Sequence, residues 1–164
     1  MIVISDATPI ISLMKAKQLN LLKDMFDIVY IPNAVYEELI TNKKYSMEAK
    51  IIQECDFIYV EKVENDKSVS ILRNFTGLDA GESEAIILAD EKQSDVLLMD
   101  EHKGRQVSKK MNITITGTIG ILAQAFDEKI LSKEDIKECI NLLKQNNIRI
   151  SENLYQTLQT YVGI

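Results

Sequence analysis

The sequence has little of several residue types, and each shortage excludes a class of site. It contains two cysteines, Cys55 and Cys139, which are far apart and have no second Cys or His at ligand spacing, so we expect neither a disulfide framework nor a zinc site. Both thiols are expected to be small buried hydrophobic groups. The one histidine, His102, is expected at the surface, and no G-x-S-x-G motif accompanies it. Catalysis by a Ser-His-Asp or Cys-His group is therefore not expected.

Long apolar runs are also lacking. No stretch approaches the roughly 20 apolar residues of a membrane-spanning helix, and the chain enters a strand pattern at once, without a basic leader segment. We therefore expect a cytoplasmic protein that has no membrane partner.

Proline is scarce, and linkers are missing. The 164 residues include two prolines and six glycines, with no low-complexity stretch and no internal repeat. Apolar residues make up 46% of the chain and charged residues 27%, which is the balance of a soluble globular protein. A chain of this length can bury a sizeable core, so we expect one continuous domain.

Positive charge is in short supply overall, because the formal net charge is −6. Such a balance argues against a nucleic-acid partner, since phosphate binding favours positive surface. A cluster of carboxylates that holds a divalent metal, however, counts as negative in the sum and acts as a positive site once the metal is bound. Residues 101–116 also carry a local basic excess, with Lys103, Arg105, Lys109 and Lys110 against one acid.

Short apolar runs alternate with helical patterns along the whole chain, which predicts an α/β fold with a mostly parallel sheet. The predicted strands are at about 2–5, 28–31, 57–61, 96–99 and 113–116. The predicted helices are at about 8–15, 19–25, 33–40, 47–55, 66–74, 80–92, 103–110, 118–126, 133–145 and 152–161. Pro32 fits the first turn of the third helix, and Ser46 is predicted to cap the fourth.

Two of the predicted strands end on carboxylates. Asp6 follows the first strand, and Asp100 and Glu101 follow the apolar run "VLLM". Open parallel sheets place ligands in the crevice beyond the carboxyl ends of their strands. Asp6 and Asp100 can therefore be neighbours in space, although they are far apart in sequence.

Two more acids lie on helical stripes that otherwise carry apolar residues. Glu38 shares a stripe with Val35 and Leu39, and Glu82 begins the stripe that continues through Ala85 in "GLDAGESEAIILA". Each of the four acids also has a purely structural interpretation. Glu38 can lie on a helix rim, Glu82 can form a capping box with Asp79, and Asp6 and Asp100 can cap the helices that follow them.

If the four acids lie together at one end of the sheet, one shared function explains them better than four separate structural roles. Two unit charges about 4 Å apart repel by roughly 4 kcal/mol at an effective dielectric constant near 20, so a carboxylate cluster requires a cation or a raised pKa. Oxygen ligands suit Mg²⁺ or Mn²⁺. The simplest chemistry for such a site is phosphodiester hydrolysis, in which the metal activates water and stabilises the developing negative charge.

The ordered set of motifs resembles a PIN-domain nuclease, and within that group the VapC-type toxins and their close relatives. The matching segments are "SDATPII", "IPNAVYEEL", "GLDAGESEAIILA", "VLLMDE" and "TGTIGIL". The resemblance covers about residues 1–130 and implies a three-layer α/β/α fold and Mg²⁺- or Mn²⁺-dependent cleavage of RNA. It also implies a partner antitoxin that blocks the site. Residues 131–164 are then a C-terminal helical extension packed on the same domain, and their apolar stripes are expected to cover that domain or to form a homodimer.

By the same resemblance, Asp6, Glu38, Glu82 and Asp100 are the catalytic acids that hold the metal. Many relatives have Asp at the position of Glu82, and their last acidic pair is often separated, whereas Glu101 directly follows Asp100 here. Glu101 is therefore only a further candidate ligand of the metal.

Three residues are candidates for binding the substrate. Thr8 matches a small hydroxyl residue two positions after the first acid, where it can orient Asp6 or a water molecule. Arg105 can clamp a phosphate or lie on a solvated helix face. Thr118 can present its hydroxyl and a helix N-terminus to a phosphate, or it can be an ordinary helix cap.

Two other functions compete with this interpretation. A phosphohydrolase with Asp6 as a covalent nucleophile needs a second acid two residues later, and that position is Thr8. A catalytically inactive PIN-like module would act through protein or nucleic-acid binding. The intact set of four acids favours the metal-dependent endoribonuclease, the toxin of a toxin-antitoxin pair.

Overall fold

The computed structural model describes residues 1–164, apart from the side chain of Tyr45. The strands are β1 (Val3–Ser5), β2 (Val29–Ile31), β3 (Ile58–Val60), β4 (Val96–Leu98) and β5 (Ile115–Thr116). The α-helices are α1 (Ala7–Lys15), α2 (Leu21–Phe26), α3 (Asn33–Thr41), α4 (Ser46–Glu54), α5 (Asp66–Thr76), α6 (Ala80–Glu91), α7 (His102–Lys110), α8 (Thr118–Asp127), α9 (Lys133–Gln145) and α10 (Glu152–Val162).

The five strands form one sheet in the order β3-β2-β1-β4-β5, and every pairing is parallel. The central strand β1 pairs Ile4 with Tyr30 of β2 and Ser5 with Leu98 of β4. All three residues of β1 are buried, as is typical of a parallel strand covered on both faces. The structure confirms the predicted three-layer α/β/α fold with its mostly parallel sheet.

The strand order reverses at β1. From β1 the chain proceeds through β2 to β3 on one side, and it then returns to place β4 and β5 on the other side. A crevice opens at such a reversal, beyond the carboxyl ends of the two adjacent strands. Here those strands are β1 and β4, which lead directly to Asp6 and Asp100.

The predicted elements are all present, with ends that shift by a few residues, and one predicted cap is wrong. Ser46 does not cap α4, because the preceding residues 43–45 already wind as a 3-10 turn and Ser46 itself has helical backbone angles. Asn42 caps that turn instead, by accepting a hydrogen bond from the Lys44 N–H. The last strand is also shorter than predicted, because the Ile113 N–H donates to the Ser108 carbonyl and so belongs to the end of α7.

The C-terminal helices pack on the same core as the sheet. Leu143 of α9 and Leu158 of α10 are almost fully buried in the hydrophobic core cluster, and α9 contacts α1 and α8 while α10 contacts α8. Leu154 and Tyr161, two further apolar residues of α10, remain exposed. The division into a 1–130 nuclease domain and a 131–164 extension stays a prediction.

The burial of the two cysteines agrees with the prediction for one of them. Both thiols are free; Cys139 is buried as predicted, whereas Cys55 is only half-buried. His102 is exposed, as predicted.

Among the described residues, none of the helices has both the length and the apolar character that crossing a bilayer requires.

Candidate functional site

Asp6 lies at the reversal of strand order and is held there by the sheet. Its N–H donates to the Leu98 carbonyl at 3.0 Å, so the residue continues the pairing of β1 with β4. Its backbone occupies the N-cap position of α1, but its carboxylate makes no cap hydrogen bond there. Asp6 is only 3% exposed. The capping interpretation therefore does not account for this buried carboxylate.

The electrostatics of Asp6 identify its neighbours. The pKa of Asp6 is raised to about 8, chiefly by burial and also by the nearby carboxylates of Glu82, Glu38 and Asp79, while the Ala7 N–H opposes the rise. Charged groups perturb one another in this way only when they are close in space. The structure therefore brings Asp6, Glu38 and Glu82 together, as the sequence predicts, and it adds Asp79.

Glu38 reaches this cluster across Gly81. A Cβ atom built on Gly81 would lie 3.1 Å from Glu38 Oε2 and 3.6 Å from Asp79 Oδ1, so the missing side chain leaves room for both carboxylates. Burial raises the pKa of Glu38, with further contributions from Asp79 and Glu82. The residue as a whole is exposed on α3, although its Oε2 atom lies beside Gly81 at the acidic cluster.

Glu84 fixes the relative position of the two helices that carry Glu38 and Glu82. Its Oε2 atom accepts a hydrogen bond of 2.6 Å from the Ala34 N–H in the first turn of α3, which satisfies a backbone donor that the helix itself leaves unpaired. Sequence reasoning missed this residue. The available signal was an acid within the otherwise apolar "EAIILA" segment.

Glu82 also has a structural role. Asp79 Oδ1 accepts from the Glu82 N–H at 2.8 Å, and Glu82 Oε2 accepts from the Asp79 N–H at 3.0 Å. The predicted capping box is confirmed. Burial raises the pKa of Glu82, and the neighbouring charges of Asp79 and Glu101 act in the same direction, whereas the Asp79 N–H and Lys103 oppose the rise. One carboxylate oxygen of Glu82 remains outside the capping box.

Asp100 is held by the first residue of α8. Its Oδ1 accepts from the Thr118 N–H at 2.7 Å, and its Oδ2 accepts from the Thr118 hydroxyl at 2.6 Å. Burial raises the pKa of Asp100, while the two Thr118 donors and the charge of Arg105 oppose the rise. Asp100 does not cap the helix that follows it, contrary to the structural interpretation. Glu101 is the N-cap of α7 instead, because its Oε2 accepts from the Gly104 N–H at 2.7 Å.

The substrate-binding candidates occupy three different environments. Thr8 is exposed at the start of α1. Arg105 is half-buried, and its Nη1 donates to the Met99 carbonyl at 2.8 Å, so it lies against the strand and not on a solvated helix face. Thr118 is fully buried, and its hydroxyl is directed to Asp100. Its position is that of a residue that orients a carboxylate, and contact of all three with substrate stays a prediction.

These residues fit a hard divalent cation. No three His, Cys, Asp or Glu side chains among the described residues form a ready set of metal ligands. Mg²⁺ does not need such a set, because it commonly takes one or two carboxylates and completes its shell with water and substrate phosphates. The donor atoms are all carboxylate oxygens, which Mg²⁺ and Mn²⁺ prefer. Burial, and to a lesser degree the neighbouring carboxylates, raise the pKa of Asp6, and a bound cation would offset both effects.

Comparison with known families decides the class of the fold. A family model described as a PIN domain matches residues 2–163. The chain belongs to the PIN-domain family. PIN domains are a nuclease superfamily in general, and the match includes the helices beyond residue 130. No curated protein matches this PIN domain.

Proposed function

We propose that this PIN domain is an Mg²⁺- or Mn²⁺-dependent endoribonuclease and the toxin of a toxin-antitoxin pair. The observation that carries the nuclease proposal is the cluster of Asp6, Glu38 and Glu82 where the sheet reverses its strand order. Asp100 follows the adjacent strand at the same end of the sheet. A buried carboxylate surrounded by other carboxylates destabilises the folded protein, and a bound cation would offset that destabilisation. Such perturbed groups are typical of functional sites.

In this proposal each acid has a task that its surroundings support. Asp6, Glu38, Glu82 and Asp100 would hold the cation, directly or through its water molecules, and the bound cation would lower the pKa of water and stabilise charge on a phosphodiester. Asp6 is the most buried of the four, so it is the ligand least able to move. Asp100 is fixed by Thr118, which orients both of its oxygen atoms. Glu101 stays a further candidate ligand, with one oxygen committed to the cap of α7.

The toxin part of the proposal rests on the sequence resemblance to VapC-type toxins and on exposed apolar residues. Phe75 is 87% exposed on α5, and Ile71, one turn earlier, is 48% exposed. Apolar residues grouped on a surface are typical of a site that a protein partner covers. An antitoxin or a second copy of the chain would bury them.

A second candidate function is a PIN-like module that binds without cleaving. It is favoured by the hydrogen bonds that already engage Glu82, Glu101 and Asp100 and by the lack of a ready three-ligand set among the described residues. Structured and single-stranded RNAs incubated with and without Mn²⁺ distinguish the two functions. Cleavage that requires the metal supports the nuclease, and intact RNA at every metal concentration supports the binding module.

The adjacent glutamates of α3 provide a matched pair for this experiment. Glu38→Gln is expected to lower the rate of RNA cleavage by about a hundredfold, because it removes a charged ligand from the cluster. Glu37→Gln removes the same charge from the neighbouring exposed residue and is expected to retain the wild-type rate. Initial rates at saturating Mn²⁺ measure the difference. Equal rates for the two variants would remove Glu38 from the site.

Thr118 offers a test of how Asp100 is held. Thr118→Val removes the hydroxyl donor at nearly constant volume, so we expect about a tenfold loss of cleavage rate. The lost hydrogen bond stabilises the charged carboxylate, so its removal raises the pKa of Asp100 further and shifts the pH-rate profile to higher pH. Thr118→Ser keeps the donor and should restore both rate and profile. A pH profile that does not move would assign Thr118 a purely packing role.

A further inference from the structure

A cavity of about 660 Å³ extends from the end of β4 toward the C-terminal helices. Its wall includes Asp100 and Glu101, of which Glu101 is close enough to Glu82 to raise its pKa. The wall also includes residues 149–151 and Leu154, the segment that connects α9 to α10 and begins α10. The cavity therefore joins the candidate metal site to a part of the chain that lies far from it in sequence.

The cavity wall also carries cationic residues. Arg105 and Arg149 both line it, and His102 adds an imidazole. Arg105 uses Nη1 for the Met99 carbonyl, which leaves other donors of its five N–H groups. Arg149 is exposed, and none of the ion pairs formed by the described residues includes it. Two guanidinium groups are therefore placed to receive phosphate oxygens.

Apolar side chains form another part of the wall, beside the hydroxyl residues Thr116 and Ser151. They are Ile115, Ile119, Ile150 and Leu154, and Leu154 keeps 46% of its surface exposed although it is a large apolar side chain. The volume falls within the roughly 300–1,000 Å³ of typical small-molecule sites. The apolar side chains suit a flat neutral group, and the two arginines suit an anion attached to that group.

We infer that this cavity binds one unpaired nucleotide of the RNA substrate, adjacent to the phosphate at the acidic cluster. The base lies among the apolar side chains, where His102 or an arginine plane can stack on it, and Arg149 binds the neighbouring phosphate. This inference rests on the proposed ribonuclease function and deepens it. It makes the α9–α10 connection, through Arg149 and Leu154, a determinant of substrate choice.

The geometry favours a nucleotide over an acidic peptide. A nucleotide places a neutral base in the apolar part and separates its phosphates along the backbone. A paired base cannot enter, because its edge and both faces are already occupied within the duplex.

Binding is measured separately from cleavage, with a fluorescein-labelled eight-nucleotide RNA in EDTA and fluorescence anisotropy as the readout. Arg149→Ala is expected to weaken binding of the single strand about tenfold, and Leu154→Ala about threefold. Matched controls lie outside the cavity: Arg73→Ala on α5 removes the same charge, and Ile51→Ala on α4 removes an apolar side chain that is 49% exposed. Both controls should bind as wild type does. Thermal unfolding confirms that each variant folds.

The outcomes separate this inference from the proposed function. A loss in Arg149→Ala confined to the single strand, and absent for a blunt duplex of the same sequence, supports the nucleotide site. An equal loss in Arg149→Ala and Arg73→Ala shows a general charge effect and overturns it, even if the protein cleaves RNA. Arg149-dependent binding without any metal-dependent cleavage would retain the cavity as a nucleotide site and reject the nuclease.

Discussion

Replacing Asp6 with asparagine is expected to reduce metal-dependent RNA cleavage by at least a thousandfold, which is about 4 kcal/mol of transition-state stabilisation. The variant keeps the size and shape of the side chain and removes its charge at the most buried position of the acidic cluster. Asp100→Asn is expected to act in the same direction. Initial rates over a Mn²⁺ titration measure the loss, so that a change in metal affinity can be separated from a change in maximal rate.

Asp90 provides the control for this prediction. It is an exposed residue near the end of α6, so Asp90→Asn makes the same chemical change and leaves the cluster intact. Its cleavage rate should equal that of the wild type. Asp6→Asn with full activity under chelator-controlled conditions would show that the acidic cluster is not the catalytic site.

The metal-free protein is expected to lose stability as the pH rises from about 4 to about 8. An aspartate in the unfolded chain has an ordinary pKa of 3.8, and in the folded protein burial and three acidic neighbours raise the pKa of Asp6 to about 8. Between these values the unfolded chain is ionised while the folded chain must keep a proton, so ionisation increasingly favours unfolding. The loss is on the order of 5 kcal/mol over the whole window. The raised pKa values of Glu38, Glu82 and Asp100 act in the same direction.

Urea unfolding in EDTA at several pH values measures this loss. Asp6→Asn cannot ionise at this position, so its stability should change much less over the same window and should exceed that of the wild type at pH 8. Saturating Mg²⁺ or Mn²⁺ should stabilise the wild type at pH 8 far more than the variant, because only a ligated folded state gains from binding. A wild-type stability that is constant from pH 5 to pH 8 would contradict the buried position of Asp6.

The sheet and the meeting of the acids could be predicted because both follow from local patterns. Apolar runs interrupted by helical periods indicate a parallel sheet, and the chain places Asp6 and Asp100 where two such runs end. The stripe that carries Val35 and Leu39 also predicts the face on which Glu38 lies. Sequence order and periodicity were sufficient for these features, because residues only a few positions apart set where a strand ends and which face of a helix is buried, and parallel strands end at the same edge of a sheet.

The detailed arrangement of the acids could not be predicted, because it depends on contacts between distant segments. The hydrogen bond from Ala34 to Glu84 and the two from Thr118 to Asp100 each join different elements of the fold. Asp79 was interpreted only as a cap, since a capping box is visible in the sequence while its proximity to Glu38 is not. The cavity at Arg149 requires the packing of α10 on α8, which no local pattern specifies.

Gly81 has a consequence for how such sequences are classified. Because a Cβ atom at this position would lie 3.1 Å from Glu38 Oε2, a single change to alanine would displace the flexible end of Glu38 at little cost to folding. All four acids would still be present in the sequence, yet the carboxylate of Glu38 would have to shift by a few tenths of an ångström. The geometry of the acidic cluster therefore also depends on a residue without a side chain, which a count of acidic residues does not record.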